Sequence, residues 1–126
     1  MSVSVLIIED EEMISGVLKE FMEEMGLEAD IAETGEEAIL RLKLRTYNAA
    51  IVDQGLPDIS GDDLILNAHK YRQDVKYFVY TGDITYKPSN ELISIGVDNN
   101  RVIFKPVLDM MTIYNKISNA VDQNIE

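Results

Sequence analysis

Five residues of this chain could do chemistry together although they lie far apart: Glu9, Asp10, Asp53, Thr81 and Lys105. Each follows a short apolar run. Glu9 and Asp10 close "SVLII", Asp53 closes "AAIV", Thr81 closes "YFVY" and Lys105 closes "VIF". Carboxylates that share one crevice disfavour joint ionisation. A divalent cation relieves that repulsion. Mg²⁺ takes hard oxygen ligands, usually one or two carboxylates with waters and phosphate oxygens. The Lys105 ammonium suits a carboxylate at rest and a phosphoryl oxygen after reaction, and Thr81 offers a hydroxyl donor. Asp53 is placed to be both ligand and nucleophile, a covalent role open to aspartate. The chemistry assembled in this way is phosphoryl transfer onto Asp53, with the cation and Lys105 offsetting developing charge.

Taken singly, each signal has a plainer explanation. Consecutive acids after a strand are commonly the solvated first turn of a helix, favoured by its macrodipole. That suffices for Glu11 and Glu12. "LPD" followed by "SG" is good turn chemistry, Thr-Gly also ends strands in turns, and Lys-Pro opens helices. The joint occurrence, one group per strand end and all of compatible type, outweighs these separate explanations.

The elements that must position these groups alternate along the chain. Val3 to Ile8 is a Val/Ile-rich run of the kind buried on both faces of a parallel sheet. Ile14, Val17, Leu18, Phe21 and Met25 then recur at helical spacing up to Gly26. Leu27 to Ala32 is a weaker strand. Thr34 and Glu37 read as a capping box, opening a helix that buries Ala38, Ile39 and Leu42. Ala49 to Val52, Tyr77 to Tyr80 and Val102 to Phe104 are the remaining strands. Helices are expected from Ser60 to about Tyr71, from Ser89 to Ile95, and along Ile113, Ile117 and Val121. Five strand–helix repeats predict an α/β fold, a (βα)5 doubly wound five-stranded parallel sheet. In such sheets the site lies beyond the C-terminal strand ends, where the five residues fall.

Bulk composition narrows the function. The 126 residues (14.2 kDa) suit one domain, residues 1–126, with 46% hydrophobic residues. Twenty-three acids against 11 bases give a net charge of −12, which repels nucleic acid phosphates and suits divalent cations or a basic protein surface. No cysteine is present, which excludes thiolate chemistry and fits a reducing, cytoplasmic setting. No apolar run approaches the roughly 20 residues that span a bilayer, and Met1 to Val5 lacks the basic start of a signal peptide. His69, the single histidine, lies on the third helical pattern away from the strand ends, and is expected at the surface or half-buried. Met110 and Met111 are expected to fill core gaps or cover the last helix.

"LIIEDEE", "AAIVDQGLPDISGDDL", "VYTGD" and "IFKPV", in that order and over essentially the whole chain, resemble the receiver domain of bacterial two-component response regulators. The resemblance implies a flavodoxin-like strand order, 2-1-3-4-5, and a phosphoacceptor signalling switch rather than an enzyme. Asp53 would accept the phosphoryl group from a sensor histidine kinase or a histidine phosphotransfer protein. Glu9 and Asp10 would be the acidic pair, with Asp10 the more direct ligand of Mg²⁺ (Mn²⁺ or Ca²⁺ substituting) and Glu9 acting largely through water. Gly55 would lend its backbone carbonyl to the metal. Thr81 would turn toward the phosphoryl group, Lys105 would pair with it, and the Lys105–Pro106 bond would be cis. Loading would move the face made by the fourth helix, fifth strand and fifth helix, read by a downstream protein or a fused output domain, with no direct nucleic-acid or membrane contact.

The sequence departs from the family pattern in places. Val102 stands where an aromatic three residues before the lysine is usual. Gln54 replaces a commoner apolar residue, "DITYKPSN" looks like extra loop, and Asp83 occupies a position that influences loss of the phosphoryl group. Other functions fit less well. An aspartyl-phosphate phosphatase of the haloacid-dehalogenase type needs an aspartate at position 55, where glycine stands. A flavodoxin-like phosphate loop would meet Glu9 to Glu12. A receiver-like interaction module that is never phosphorylated is the main alternative.

Overall fold

The computed structural model describes residues 2–107 and 109–122. Residues 1 and 123–126 of the expected domain, and Leu108, lie outside the described residues. The elements run β1 (Ser4–Ile8), α1 (Glu12–Glu24), β2 (Glu28–Ala32), α2 (Gly35–Leu44), β3 (Ala49–Asp53), α3 (Gly61–His69), β4 (Lys76–Thr81), α4 (Asn90–Ser94), β5 (Val102–Phe104) and α5 (Met110–Asp122). A 3-10 turn, Asn99–Arg101, leads into β5. The five strands are parallel, as the alternation of elements predicts, and run in the order β2-β1-β3-β4-β5 that the family resemblance implies.

Strand periodicity splits the core into two layers. Successive side chains of a strand point to opposite faces. Val5 and Ile7 therefore pack with Leu18, Met22, Ile113 and Ile117, the layer under α1 and α5. Leu6 and Ile8 pack with Ala38, Leu42, Leu64 and Leu92, the layer under α2, α3 and α4. With helices on both faces, β1 and β3 are buried along their whole length, which is why their sequences read as continuous apolar runs.

The helix starts follow the side chains that cap them. The hydroxyls of Thr34, Ser60 and Ser89 accept from the backbone N–H groups three residues on, at 3.1, 3.1 and 3.2 Å. The reciprocal half of the expected capping box is displaced by one residue: Glu37 accepts from the N–H of Glu33, not of Thr34. Gly26 and Gly96 end α1 and α4 with φ of 86° and 95°, a left-handed turn that costs glycine no Cβ clash. One expectation for α1 is corrected. Val17 is 58% exposed, and Met22 takes its place in the core. Neighbouring residues on a helix lie about 100° apart, so a face centred on Leu18 and Met22 leaves Val17 at its edge. The methionines divide similarly: Met110 packs against the core, whereas Met111 is exposed. His69 is half-buried in the last turn of α3.

Two loops at the C-terminal edge are fixed by polar contacts. Asp58 in the β3–α3 loop accepts from the N–H groups of Gly35 and Glu36 at 2.9 and 3.0 Å, tying that loop to the start of α2. The expected extra segment after β4 is anchored by Tyr86, a buried ring whose hydroxyl donates to Asp62 at 2.7 Å. Among the described residues no helix is long and apolar enough to cross a membrane.

Candidate functional site

The parallel sheet brings the predicted groups to one edge. Glu9 extends the β1 ladder, donating its N–H to the Ala32 carbonyl at 3.0 Å. Its side chain consequently enters the sheet edge and is only 1% exposed. One carboxylate oxygen of Glu9 accepts from Lys105 Nζ at 2.8 Å and the other from the Glu11 N–H at 3.2 Å. Asp10 is exposed and accepts no hydrogen bond from any described residue. Asp53 ends β3 and is 6% exposed. Its Oδ1 accepts from the Gly55 N–H at 3.1 Å and from Lys105 Nζ at 3.2 Å. Carboxylate oxygens of Glu9, Asp10 and Asp53 lie within 4.8 Å of one another.

Lys105 reaches this cluster from the far edge of the sheet. β5 is separated from β1 by β4 and β3, so the ammonium crosses two strand ends. On its way it lies 4.8 Å from the centroid of the Tyr80 ring, an arrangement that favours a cation over the ring face. A cis Lys105–Pro106 peptide follows, as the resemblance implies. Burial alone would lower the Lys105 pKa. The hydrogen bond to Glu9 and the charges of Asp53 and Glu9 outweigh that and raise it.

Glu9 carries the cost of the arrangement. Burial pushes its carboxyl up to about 7, Lys105 opposes the shift, and nearby Asp53 adds to it. Three carboxylates and one ammonium leave the cluster short of positive charge. Hard oxygen donors in that balance fit a divalent cation of the Mg²⁺ class. Asp10 is exposed with neither carboxylate oxygen engaged by a described residue, while Glu9 has both oxygens engaged.

Thr81 is placed differently from the acids. It ends β4 and is buried, but its hydroxyl donates to Gln54 Oε1 at 2.8 Å and accepts from the Asp83 N–H at 3.1 Å. Asp83 itself accepts from the hydroxyl and N–H of Thr85, at 2.6 and 2.9 Å, which lowers its pKa. Val102 is buried in the same core layer as Tyr86, and Phe104 is exposed. Sequence reasoning did not foresee the parts played by Gln54 and Tyr80. Tyr80 was within reach, since parallel pairing sets it beside Asp53. The Gln54 contact depends on a side-chain rotamer, which spacing does not encode.

Known proteins share this fold. A family model described as response regulator receiver domain matches residues 5–118. The aerobic respiration control sensor protein ArcB of Escherichia coli K12 is 30% identical over 108 residues, 84% of this chain and 14% of that protein. The transcriptional regulatory protein PhoP of the same strain is 32% identical over 95 residues, 75% of this chain and 43% of that protein. The chain thus spans under half the length of these relatives. A CheY-like receiver domain protein from Methanospirillum hungatei superposes with a TM-score of 0.88 at 30% identity, covering 98% of this chain and 96% of the other. The response regulator TrrA of Thermotoga maritima, solved in complex with Mg²⁺-BeF, superposes at 0.82 with 26% identity, covering 94% of this chain and 98% of the other. With the match running from β1 into α5 and the same sheet beneath it, the chain belongs to the response regulator receiver domain family of two-component systems.

Proposed function

We propose that this receiver domain is a phosphoacceptor switch in which Asp53 takes a phosphoryl group from a phosphohistidine on a sensor kinase or histidine phosphotransfer protein. The state of Asp53 carries the reading. Its Oδ1 is held by the Gly55 N–H and by Lys105, while Oδ2 accepts no bond from any described residue. Oδ2 is therefore oriented and has its lone pairs available for attack. A bond forms from Oδ2 to phosphorus as the bond to the imidazole nitrogen breaks; that nitrogen leaves with the electron pair. Lys105 stays within reach of the added negative charge, and Thr81 lies on the adjacent strand end as a hydroxyl donor.

The carboxylates of Asp10 and Asp53 and the backbone carbonyl of Gly55 would hold Mg²⁺, with Glu9 bearing on it largely through water; Mn²⁺ or Ca²⁺ would serve in its place. When bound, such an ion supplies charge neutralisation at the phosphoryl oxygens. The shortage of positive charge in the cluster supports this, as does the neighbour solved with Mg²⁺-BeF. The loaded state would alter the loop after β4 and the face of α4, β5 and α5, for a downstream protein or an output domain to read.

Incubation with acetyl phosphate and Mg²⁺ followed by intact-mass measurement is the direct test. One phosphoryl adduct is expected, and none with Asp53→Asn. No adduct across a panel of small phosphodonors and kinases would instead favour an interaction module that is not phosphorylated.

A further inference from the structure

We propose that Gln54 is a positioning residue that holds Thr81 in its resting conformation and so sets how readily Asp53 is loaded; the inference rests on the phosphoacceptor reading above. Gln54 directly follows Asp53, and its backbone is fixed on both sides. Its N–H donates to the Tyr80 carbonyl at 3.0 Å, and its carbonyl accepts from the Gly61 N–H at 3.0 Å. Gly61 approaches so closely that a Cβ there would lie 2.9 Å from Gln54 Cα. From this fixed base the side chain meets the Thr81 hydroxyl at 2.8 Å. The direction of that bond follows from the atom met, since Gln54 Oε1 is an amide carbonyl oxygen and can only accept. Thr81 Oγ1 already accepts from the Asp83 N–H, and a hydroxyl has one proton to give. That proton goes to Gln54 Oε1.

Two partners then compete for one proton. To donate to a phosphoryl oxygen on Asp53, Thr81 must release Gln54. Methionine at position 54 has similar length but only a weak sulfur acceptor. It would leave the buried Thr81 donor without a good partner at rest, and would not touch the bond that Thr81 makes once a phosphoryl group is present. An unmet buried donor is costly, so the balance moves toward the loaded state. The expected gain is about fivefold in affinity for a phosphoryl mimic, the worth of one neutral hydrogen bond.

Beryllofluoride with Mg²⁺ is a suitable probe, read by NMR of the Thr81 side chain in the full chain. Without probe, wild-type Thr81 should show one χ1 rotamer by its three-bond couplings, and Gln54→Met should show averaging. Gln54→Glu, which keeps an acceptor, should restore the single rotamer. On titration, Gln54→Met should bind about fivefold tighter than wild type, and this gain should vanish in a Thr81→Val background. A purely structural effect of the substitution would persist in that background and would overturn the proposal. Equal midpoints for wild type and Gln54→Met would overturn it as well, while leaving the phosphoacceptor reading intact. A wild-type chain that takes up neither beryllofluoride nor a phosphoryl group sinks both.

Discussion

Replacing Glu9 by glutamine tests whether the site is strained by its own charge. The Glu9 carboxyl is buried at the end of a strand that cannot bend away, and burial raises its pKa from 4.5 to about 7 against the pull of Lys105. Between those values the folded chain keeps a proton that the unfolded chain has released. Stability should therefore fall as pH rises from about 4.5 to about 7, then level off. At 1.36 kcal/mol per pH unit the full loss is roughly 3 kcal/mol. Glutamine does not titrate and approximates the neutral carboxyl, so this component of the slope should disappear. Its amide must place one N–H group where Glu9 accepts from Glu11, a misfit costing about 1 kcal/mol. Glu9→Gln should thus be slightly less stable than wild type at pH 5 and about 2 kcal/mol more stable at pH 8. Urea unfolding of both proteins in metal-free buffer, at several pH values, gives the difference directly. Carboxylates remote from Glu9 cancel in that difference. A constant difference from pH 5 to 8, or one of opposite sign, would refute the reasoning. Saturating Mg²⁺ should flatten the wild-type slope, because a bound cation compensates the ionised cluster.

Other consequences concern the metal and the backbone. Asp10→Ala should weaken Mg²⁺ binding at least about tenfold, a loss seen even when only the support of a metal ligand is removed. Glu11→Ala, at the exposed start of α1, should change it far less; equal effects in a fluorescence or calorimetric titration would contradict the roles assigned. Gly61→Ala places a Cβ 2.6 Å from the Asp53 carbonyl oxygen. Thermal unfolding should show a loss of about 1–3 kcal/mol, the range for overpacked sites. Gly16→Ala, mid-helix with nothing within 4 Å of the added Cβ, should instead gain about 0.5–1 kcal/mol by the same measurement.

The strands and the residues that end them were legible because each depends on a short-range signal, whereas the order of the strands follows from the family resemblance and not from local pattern. β1 and β3 announce themselves by continuous apolar runs, and the caps at Thr34, Ser60 and Ser89 by single hydroxyls three residues before a satisfied N–H. Gathering Glu9, Asp10 and Asp53 at one edge then follows from parallel topology alone. The burial of α1 was less legible, since Val17 and Met22 are both apolar and only the exact rotation of the helix separates them. Which hydrogen bonds form inside the site was not legible. The Thr81–Gln54 bond spans two strands and depends on rotamers. The Lys105–Glu9 pair joins residues 96 apart in sequence, across the ends of β3 and β4.

That long-range pair explains how the sheet tolerates its acids. β1 and β3 deliver Glu9 and Asp53 into nearly dry surroundings, where unpaired carboxylates would be costly. A single ammonium answers both, at 2.8 and 3.2 Å, and its position over Tyr80 fixes it between them. One positive charge cannot balance three negative ones, so the remainder is borne by the pKa of Glu9 or by a cation. A cation held at this cluster would consequently link metal binding to folding. A cation that binds the ionised folded site and not the unfolded chain should stabilise the fold by RT ln(1 + [L]/Kd). Because protons compete for Glu9, that stabilisation should be greater at pH 8 than at pH 5.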